Sequence, residues 1–229
     1  MSMIIHKLGS MHLAENIPNQ DYFLLNDSFK MVLDGCSADE EGNWLTSEVG
    51  VRLFAQLFDR LPEEIKSSPD RLEEGVRMVF EKMMALAEDV LFLAQNFCFT
   101  IVVVYELEDR FLVKYCGDGY IITRKKEGDE IEFISLEEEC IQGCPKYYLY
   151  HYIPTELYLD DVSFQEKEFL KEEYENVGVA TDGIRFFLDA GPLVQKKLEE
   201  NLRQNKAGRI RVQIATMRDH MKDDITICY

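Results

Sequence analysis

The stretch from residue 97 to residue 126 contains three apolar runs, FCFTIVVVYEL, RFLVKYC and YIITRKK, which are rich in β-branched and aromatic residues. Only Glu108-Asp109 and Gly117-Asp118-Gly119 separate them. Connections this short join antiparallel strands, whereas parallel strands need a crossover of about a dozen residues or more. The sequence therefore predicts an antiparallel meander in the middle of the chain.

Other short apolar or alternating runs predict strands on both sides of this meander. These runs are residues 4–8, 22–25, 29–33, 130–134, 147–152, 156–159, 177–181 and 225–229. The second and third are separated by Asn26, Asp27 and Ser28, a composition that is typical of a hairpin turn. This hairpin would deliver Asp34 to the end of a sheet.

Four segments show the apolar spacing of amphipathic helices, with hydrophobic residues three or four positions apart. They are residues 44–61, 70–96, 192–205 and 209–221, whereas the acidic stretch 166–175 is predicted to be solvated. Strands and helices thus occur in blocks and do not alternate along the chain. This order predicts an α+β fold in which helices cover antiparallel sheets, and we expect residues 1–229 to form a single domain.

The charge of the chain limits its partners. The 43 acidic residues outnumber the 25 basic residues and give a net charge of −18. This charge repels phosphate backbones, so we expect neither nucleic-acid nor anionic-membrane binding. No apolar stretch of 18 residues and no signal-peptide pattern is present, which favours a cytoplasmic protein. We also expect the protein to be a monomer. A phosphate-bearing substrate would require cations, and divalent metal ions held by the acids could supply them.

The cysteines do not suggest a disulfide framework, because they are scattered and several lie in apolar runs where thiols behave as small buried hydrophobes. They are Cys36, Cys98, Cys116, Cys140, Cys144 and Cys228. Cys140 and Cys144 are close in sequence, but they lack the second pair or the histidine that would complete a zinc site. We therefore expect no structural zinc there.

Four carboxylates stand at the boundary of an apolar strand: Asp34 in VLDG, Asp118 in CGDGY, Asp182 in VATDG and Asp223 in KDDITICY. A single aspartate in such a place is usually a turn residue or a helix cap. Several beside glycines favour a site for a hard divalent cation, because Mg²⁺ and Mn²⁺ prefer oxygen ligands and glycine leaves room for a backbone carbonyl.

These motifs resemble, in order along almost the whole chain, those of the metal-dependent serine/threonine protein phosphatases of type 2C, and most closely the compact, mainly bacterial branch. The shared motifs are Gly9-Ser10-Met11-His12, Pro18-Asn19-Gln20-Asp21, Val32-Leu33-Asp34-Gly35, Thr46-Ser47-Glu48-Val49-Gly50, Phe99-Thr100, Gly117-Asp118-Gly119, Ala180-Thr181-Asp182-Gly183 and Asp223-Asp224-Ile225-Thr226. The resemblance implies a four-layer α-β-β-α sandwich of two antiparallel sheets flanked by helices.

The resemblance also implies a metal centre of two Mn²⁺ or Mg²⁺ ions, with a weaker third ion. Asp34 would bridge the two ions, the Gly35 carbonyl would bind one, and Asp182 and Asp223 would hold the other. Asp118 and Asp21 would act nearby, through bound waters or on the third ion. The pair Asp223-Asp224 leaves two candidates, of which the family pattern favours Asp223.

The implied activity is hydrolysis of phosphoserine and phosphothreonine in protein substrates. Asp34, Asp182 and Asp223 would be catalytic through the ions that they hold. A water bridging the two ions would attack phosphorus, since paired metal ions lower the pKa of water and neutralise phosphoryl oxygens. No protein nucleophile is needed.

Three positions depart from the family pattern. Cys36 stands where many relatives have a histidine that serves as general acid, and such an acid contributes about 10²–10⁴-fold in rate. Asn16 replaces a phosphate-binding arginine, and Gln20 replaces a metal-binding glutamate. Three residues could substitute for the arginine: His6, Lys7 and His12.

These departures keep a second hypothesis open, a catalytically weak phosphatase-like module that binds metal or phosphoprotein for regulation. Two other phosphatase classes do not fit. No cysteine is followed six positions later by arginine, as a cysteine phosphatase requires. An aspartyl-phosphate enzyme would need a second Asp two positions after Asp34, where Cys36 stands.

Overall fold

The computed structural model describes residues 2–36, 47–86, 92–93, 96–136, 145–153 and 162–229. Within them, ten strands form two five-stranded sheets, and every pairing is antiparallel. Sheet I contains, in spatial order, β1 (Ile4–Lys7), β10 (Ile225–Cys228), β9 (Tyr174–Ala180), β6 (Tyr120–Lys125) and β7 (Ile131–Ser135). Sheet II contains β2 (Tyr22–Leu25), β3 (Phe29–Gly35), β4 (Phe99–Glu106), β5 (Arg110–Cys116) and β8 (Gln165–Leu170).

Helices cover the outer face of each sheet. On sheet II lie α2 (Glu48–Asp59), α3 (Glu63–Lys66) and α4 (Leu72–Met84), and on sheet I lie α5 (Arg185–Asp189), α6 (Pro192–Arg203) and α7 (Ala207–Thr216). A further short helix, α1 (Ser10–Glu15), follows β1. The predicted α+β sandwich with two antiparallel sheets and flanking helices is therefore confirmed.

The central strands are buried on both faces, which explains their continuous apolar sequences. In β4, Ile101 and Val103 pack with the α2 and α4 side chains, whereas Val102 and Val104 point to the opposite face and meet sheet I. Successive residues of a strand point to opposite sides, so a run such as TIVVVY can supply two apolar layers at once. The three predicted strands are present as β4, β5 and β6, and β4 and β5 form the predicted hairpin. The predicted continuation of the meander into β6 is wrong, because β6 belongs to sheet I and pairs with β7 and β9.

The strand predicted at residues 147–152 is wrong. The chain there forms a short 3-10 helix, Tyr148–His151. Its aromatic side chains pack into the core between sheet II and its helices, and the ring of Tyr148 lies 5.2 Å from that of Phe80. The alternating aromatic residues are therefore buried by packing against the helices of sheet II, and not by forming a strand of a sheet.

Several predicted boundaries also change. The helix predicted from residue 70 begins as α4 at Leu72 and ends at Met84, and the helix predicted to residue 221 ends at Thr216. The stretch 166–175 is largely exposed, as predicted, but its first part is the edge strand β8. Predictions for residues 44–46, 87–91, 94–95 and 156–159, and for Cys140 and Cys144, lie outside the described residues. No described helix is long and apolar enough to cross a membrane.

Candidate metal centre

The strand-end carboxylates meet in a cleft of about 400 Å³ at one end of the sandwich. β3 ends there, the turn between β5 and β6 crosses there from sheet II to sheet I, β9 ends there and β10 begins there. The acids that line the cleft are Glu15, Asp34, Asp118, Asp182 and Asp223. Among the described residues, neither lysine nor arginine belongs to this lining.

Asp34 lies at the centre of this negative charge. Its backbone position pairs with Thr100 on β4, and its Oδ2 accepts a hydrogen bond of 3.4 Å from the backbone N–H of Asp182 on the other sheet. Burial raises the pKa of Asp34 well above its usual range, and the charges of Asp21, Asp182 and Asp118 raise it further. The fold thus brings together carboxylates that repel one another in the absence of a cation.

Two glycines permit the close approach of the segments around the cleft. A Cβ on Gly35 would lie 2.7 Å from the carbonyl oxygen of Gln20 and would also collide with Ser47. A Cβ on Gly183 would collide with the backbone carbonyl of Asp224. The glycine that follows Asp34 and the one that follows Asp182 are therefore both required by packing, because the main chain of a neighbouring segment occupies the space of a side chain.

Asp118 is held in a strained turn. The two glycines beside it, Gly117 and Gly119, have φ angles of +103° and +131°, which L-residues with side chains rarely adopt. A Cβ on Gly117 would also collide with Thr100, the partner of Asp34. The turn between β5 and β6 thus presses against the end of β3 and β4 and directs Asp118 to the cleft.

Asp223 and Asp224 occupy different environments although they are adjacent. Asp223 is partly exposed and lines the cleft, and burial raises its pKa. Asp224 is 2% exposed, and its carboxylate accepts hydrogen bonds from the backbone N–H groups of Gly9 (2.8 Å) and Gln20 (2.6 Å). Its Oδ2 also lies 2.9 Å from Nδ1 of His12. Asp223 is therefore available to a ligand, whereas Asp224 holds the N-terminal segment in place.

Asp21 lies behind the cleft, and 2% of its surface is exposed. It accepts a 2.7 Å hydrogen bond from Oγ1 of Thr181, and that oxygen in turn accepts one from the backbone N–H of Thr226. Burial, with the charge of Asp224, raises the pKa of Asp21 well above its usual range. This network joins the segment before β2 to the ends of β9 and β10.

Two positively charged or ionisable side chains accompany the acids. His12 on α1 lines the cleft, and its hydrogen bond to Asp224 raises its pKa. Arg185 on α5 places a guanidinium nitrogen 3.6 Å from Oδ2 of Asp182. Of the three residues predicted as replacements for the phosphate-binding arginine, His12 lines the cleft. His6 is part of β1, where its Nδ1 lies 2.9 Å from Oγ1 of Thr226 and its ring contacts Phe23, and Lys7 is exposed.

Cys36 lines the cleft beside Tyr147. Burial raises the pKa of Tyr147 well above its usual range, and Cys36 adds a hydrogen bond and a nearby charge. Sequence analysis did not find Tyr147 as a cleft residue, because it assigned residues 147–152 to a strand. It considered His12, but it could not find the contact between His12 and Asp224, which are 212 positions apart.

The donor set fits hard divalent cations, because every acid in the lining offers oxygen and no cysteine–histidine cluster competes. Among the described residues, no three acidic, histidine or cysteine side chains lie close enough together to hold a metal ion by themselves. Ions in this cleft would therefore complete their shells with water, as Mg²⁺ usually does. The residues that would hold them are Asp34, Asp182 and Asp223, with the Gly35 carbonyl.

The family model described as Protein phosphatase 2C matches residues 8–222, and the chain belongs to this family. None of the curated proteins matches the sequence.

Solved structures of bacterial proteins, two of them described as serine/threonine phosphatases, have the same fold. PppA of Pseudomonas aeruginosa, described as a key regulatory component of T6SS, superposes with a TM-score of 0.67 at 15% identity, over 100% of this chain and 95% of that one. The serine/threonine phosphatase MsPP of Mycobacterium smegmatis, solved in complex with cacodylate, superposes with a TM-score of 0.63 at 14% sequence identity. The match covers 100% of this chain and 96% of that one. The serine/threonine phosphatase PstP/Ppp of Mycobacterium tuberculosis superposes with a TM-score of 0.61 at 13% sequence identity, over 100% of this chain and 96% of that one.

Proposed function

We propose that this protein is a metal-dependent serine/threonine protein phosphatase that uses two Mn²⁺ or Mg²⁺ ions. The supporting observation is the cleft itself, in which five carboxylates and no lysine or arginine form the described lining. Such a cleft repels a phosphate until cations occupy it. The proposal includes phosphoproteins as substrates, a cytoplasmic location and a monomer that forms a single domain.

The proposed ligands are those that the family resemblance implies, and Asp34, Gly35, Asp182 and Asp223 all line the cleft. Asp34 would lie between the two ions, the Gly35 carbonyl would bind one, and Asp182 and Asp223 would bind the other. Asp118 would act through water or on a weaker third ion, and Asp21 would support the site from behind the cleft. Two bound ions would lower the pKa of a water molecule and neutralise the phosphoryl oxygens.

His12 is proposed as the donor to the leaving oxygen, in place of the histidine that Cys36 replaces. Nδ1 of His12 faces Asp224, so Nε2 lies on the opposite side of a ring that lines the cleft. The raised pKa favours the protonated ring. If His12 has this role, its replacement by Asn slows hydrolysis of a phosphothreonine peptide more than that of p-nitrophenyl phosphate, whose leaving group needs no proton.

The test of the activity is hydrolysis of p-nitrophenyl phosphate and a phosphothreonine peptide with Mn²⁺, with Asp34→Ala and Asp182→Ala as inactive controls. We expect turnover that requires Mn²⁺ and disappears in EDTA. A folded wild-type protein with no metal-dependent turnover would overturn the enzyme proposal.

The second candidate is a phosphatase-like module with weak activity that binds metal or phosphoprotein. Cys36 and Asn16, which replace two substrate-directed residues of relatives, favour it. Calorimetric titration with Mn²⁺ together with the peptide assay separates the candidates, because both would bind the ion but a regulatory module would do so without appreciable turnover of the peptide.

A further inference from the structure

The basic residues of this acidic chain are concentrated in one region. Residues 192–218 contain seven of the 25 basic residues and two of the 43 acidic residues, a local charge of +5. The other 202 residues contain 18 basic and 41 acidic residues. Solubility does not explain this segregation, because the chain already has a large net charge of one sign.

This region is the helical layer over sheet I. The apolar side of α6 and α7 packs on the sheet through Leu198, Leu202, Ile210 and Ile214. The other side faces solvent, where Leu193 is 85% exposed and Val212 is 62% exposed. The basic residues exposed in this layer are Lys196, Lys197, Arg209, Arg211 and Arg218.

Most of these cations are not neutralised within the protein. In the described part of the chain, Arg203 is the one member of the seven with a carboxylate within 4 Å, from Glu199 and Asp129. Lys206 contacts the neutral side chain of Gln204, and Arg211 donates to the carbonyl of Ile4. The surface thus offers free positive charge on a protein that has ample acid to pair with it.

Three of the cations share one concavity. Lys197, Lys206 and Arg209 line an open hollow of about 770 Å³ together with Val212 and the backbone near Gly208. Leu193 lies one helical turn before Lys197 on α6 and adds apolar surface beside it. We define this set, Leu193, Lys196, Lys197, Lys206, Arg209 and Val212, as the basic face.

We propose that the basic face binds a short acidic segment of a partner protein, with carboxylates on the cations and an apolar side chain near Leu193 and Val212. The charge distribution of the whole protein indicates which negatively charged partner can bind the basic face. A long polyanion such as nucleic acid or a membrane would also meet the strongly negative remainder of the chain, and a second copy would bring another net charge of −18. A short segment interacts with the basic face alone.

The basic face is separate from the metal centre, and the described linings of the two have no residue in common. Binding can therefore be measured without phosphatase activity. The probe is a fluorescein-labelled peptide of Glu, Leu and Gly, compared by fluorescence anisotropy with the same peptide carrying Gln in place of Glu. The variant is Lys197→Glu/Arg209→Glu.

The matched control is Arg60→Glu/Lys82→Glu, which makes the same charge change at exposed positions of the helical layer on sheet II. We expect the Glu peptide to bind the wild type and the control, and to lose about tenfold or more in affinity in the basic-face variant. Circular dichroism verifies that both variants are folded.

Three results would overturn the proposal: no binding of the Glu peptide to the wild type, equal binding of the Gln peptide, or an equal loss in the control variant. Single-stranded DNA of the same length as the peptide tests whether the basic face prefers an acidic protein segment to a nucleic acid. If the DNA binds the basic face as tightly as the Glu peptide, an acidic protein segment is not the specific partner.

Discussion

The carboxylates at one end of the sandwich fall into two groups with opposite environments. Those of the cleft, including Asp34 and Asp223, are gathered where no lysine or arginine lines the described wall. Asp224 is buried beside them but receives two backbone N–H groups and the His12 ring. The negative charges of the first group raise the pKa of Asp34, whereas Asp224 has hydrogen-bond donors within the fold for its carboxylate. Adjacent aspartates can thus serve binding and stability separately.

The largest expected effect is on activity, from a change in the first group. Replacing Asp34 by Ala removes the carboxylate that lies between both sheets, and we expect the rate of p-nitrophenyl phosphate hydrolysis to fall by more than about 10²-fold. Steady-state kinetics with Mn²⁺ measures this. Retention of the wild-type rate would show that the cleft acids do not form the metal centre.

The second effect is on stability, from the other group. Asp224→Ala leaves two buried N–H groups without an acceptor, and we expect the free energy of unfolding to fall by about 3 kcal/mol. Urea denaturation in EDTA measures the change. The matched variant is Asp223→Ala, which removes one hydrogen bond, from the backbone N–H of Asp224 (2.9 Å), and should cost less than Asp224→Ala. An equal loss in both variants would remove the distinction between the neighbours.

A smaller effect of opposite sign is expected for Asp34→Asn without metal. The folded-state pKa of Asp34 is raised, so ionisation makes the folded state less stable as pH increases above the unfolded pKa. Asn cannot ionise, and we expect it to raise the free energy of unfolding at pH 7 by up to about 2 kcal/mol in EDTA. The gain should shrink at acidic pH, where the wild-type carboxyl is protonated.

Addition of Mn²⁺ is the check on this result. The ion should raise the melting temperature of the wild type by binding the folded state, and it should have a much smaller effect on Asp34→Asn. A variant that is less stable than the wild type in EDTA would contradict the proposed repulsion.

The smallest effect concerns His12. Its folded-state pKa is raised by Asp224, so protonation stabilises the fold below the unfolded pKa, and this contribution is lost as pH rises through the folded pKa. Because the pair is partly exposed, we expect His12→Gln to cost less than about 1 kcal/mol, mainly at acidic pH. Urea denaturation at pH values from below the unfolded pKa of His12 to above its folded pKa measures the difference in the free energy of unfolding. A difference from the wild type that is constant with pH would exclude the ion pair as its cause.

The basic face could be recognised as an excess of Lys and Arg in residues 192–218, but the sequence alone does not say which of them are exposed. Tertiary packing turns Leu198 and Ile210 toward sheet I and leaves Lys197 and Arg209 on one concave surface. The charge excess is a local property, whereas the shared hollow depends on how two helices lie on a sheet.

The sequence by itself determined nine of the ten described strands, four of the helices and most of the acids of the cleft, but it did not predict β8, α1, α3 or α5. Strands β4, β5 and β6 follow from short turns between β-branched runs, and Asp34, Asp118, Asp182 and Asp223 stand out because each ends or begins an apolar strand. Local rules suffice for these features, since alternation and turn chemistry act over a few residues.

Only the tertiary structure decided the environments of residues that are neighbours in sequence. Local pattern does not separate Asp223 from Asp224, which only the family resemblance distinguishes, and residues 147–152 alternate as a strand would. Their environments differ because segments far apart in the chain, such as Gly9 and Phe80, pack against them. Burial and charge pairing depend on these distant contacts, which no local spacing rule contains.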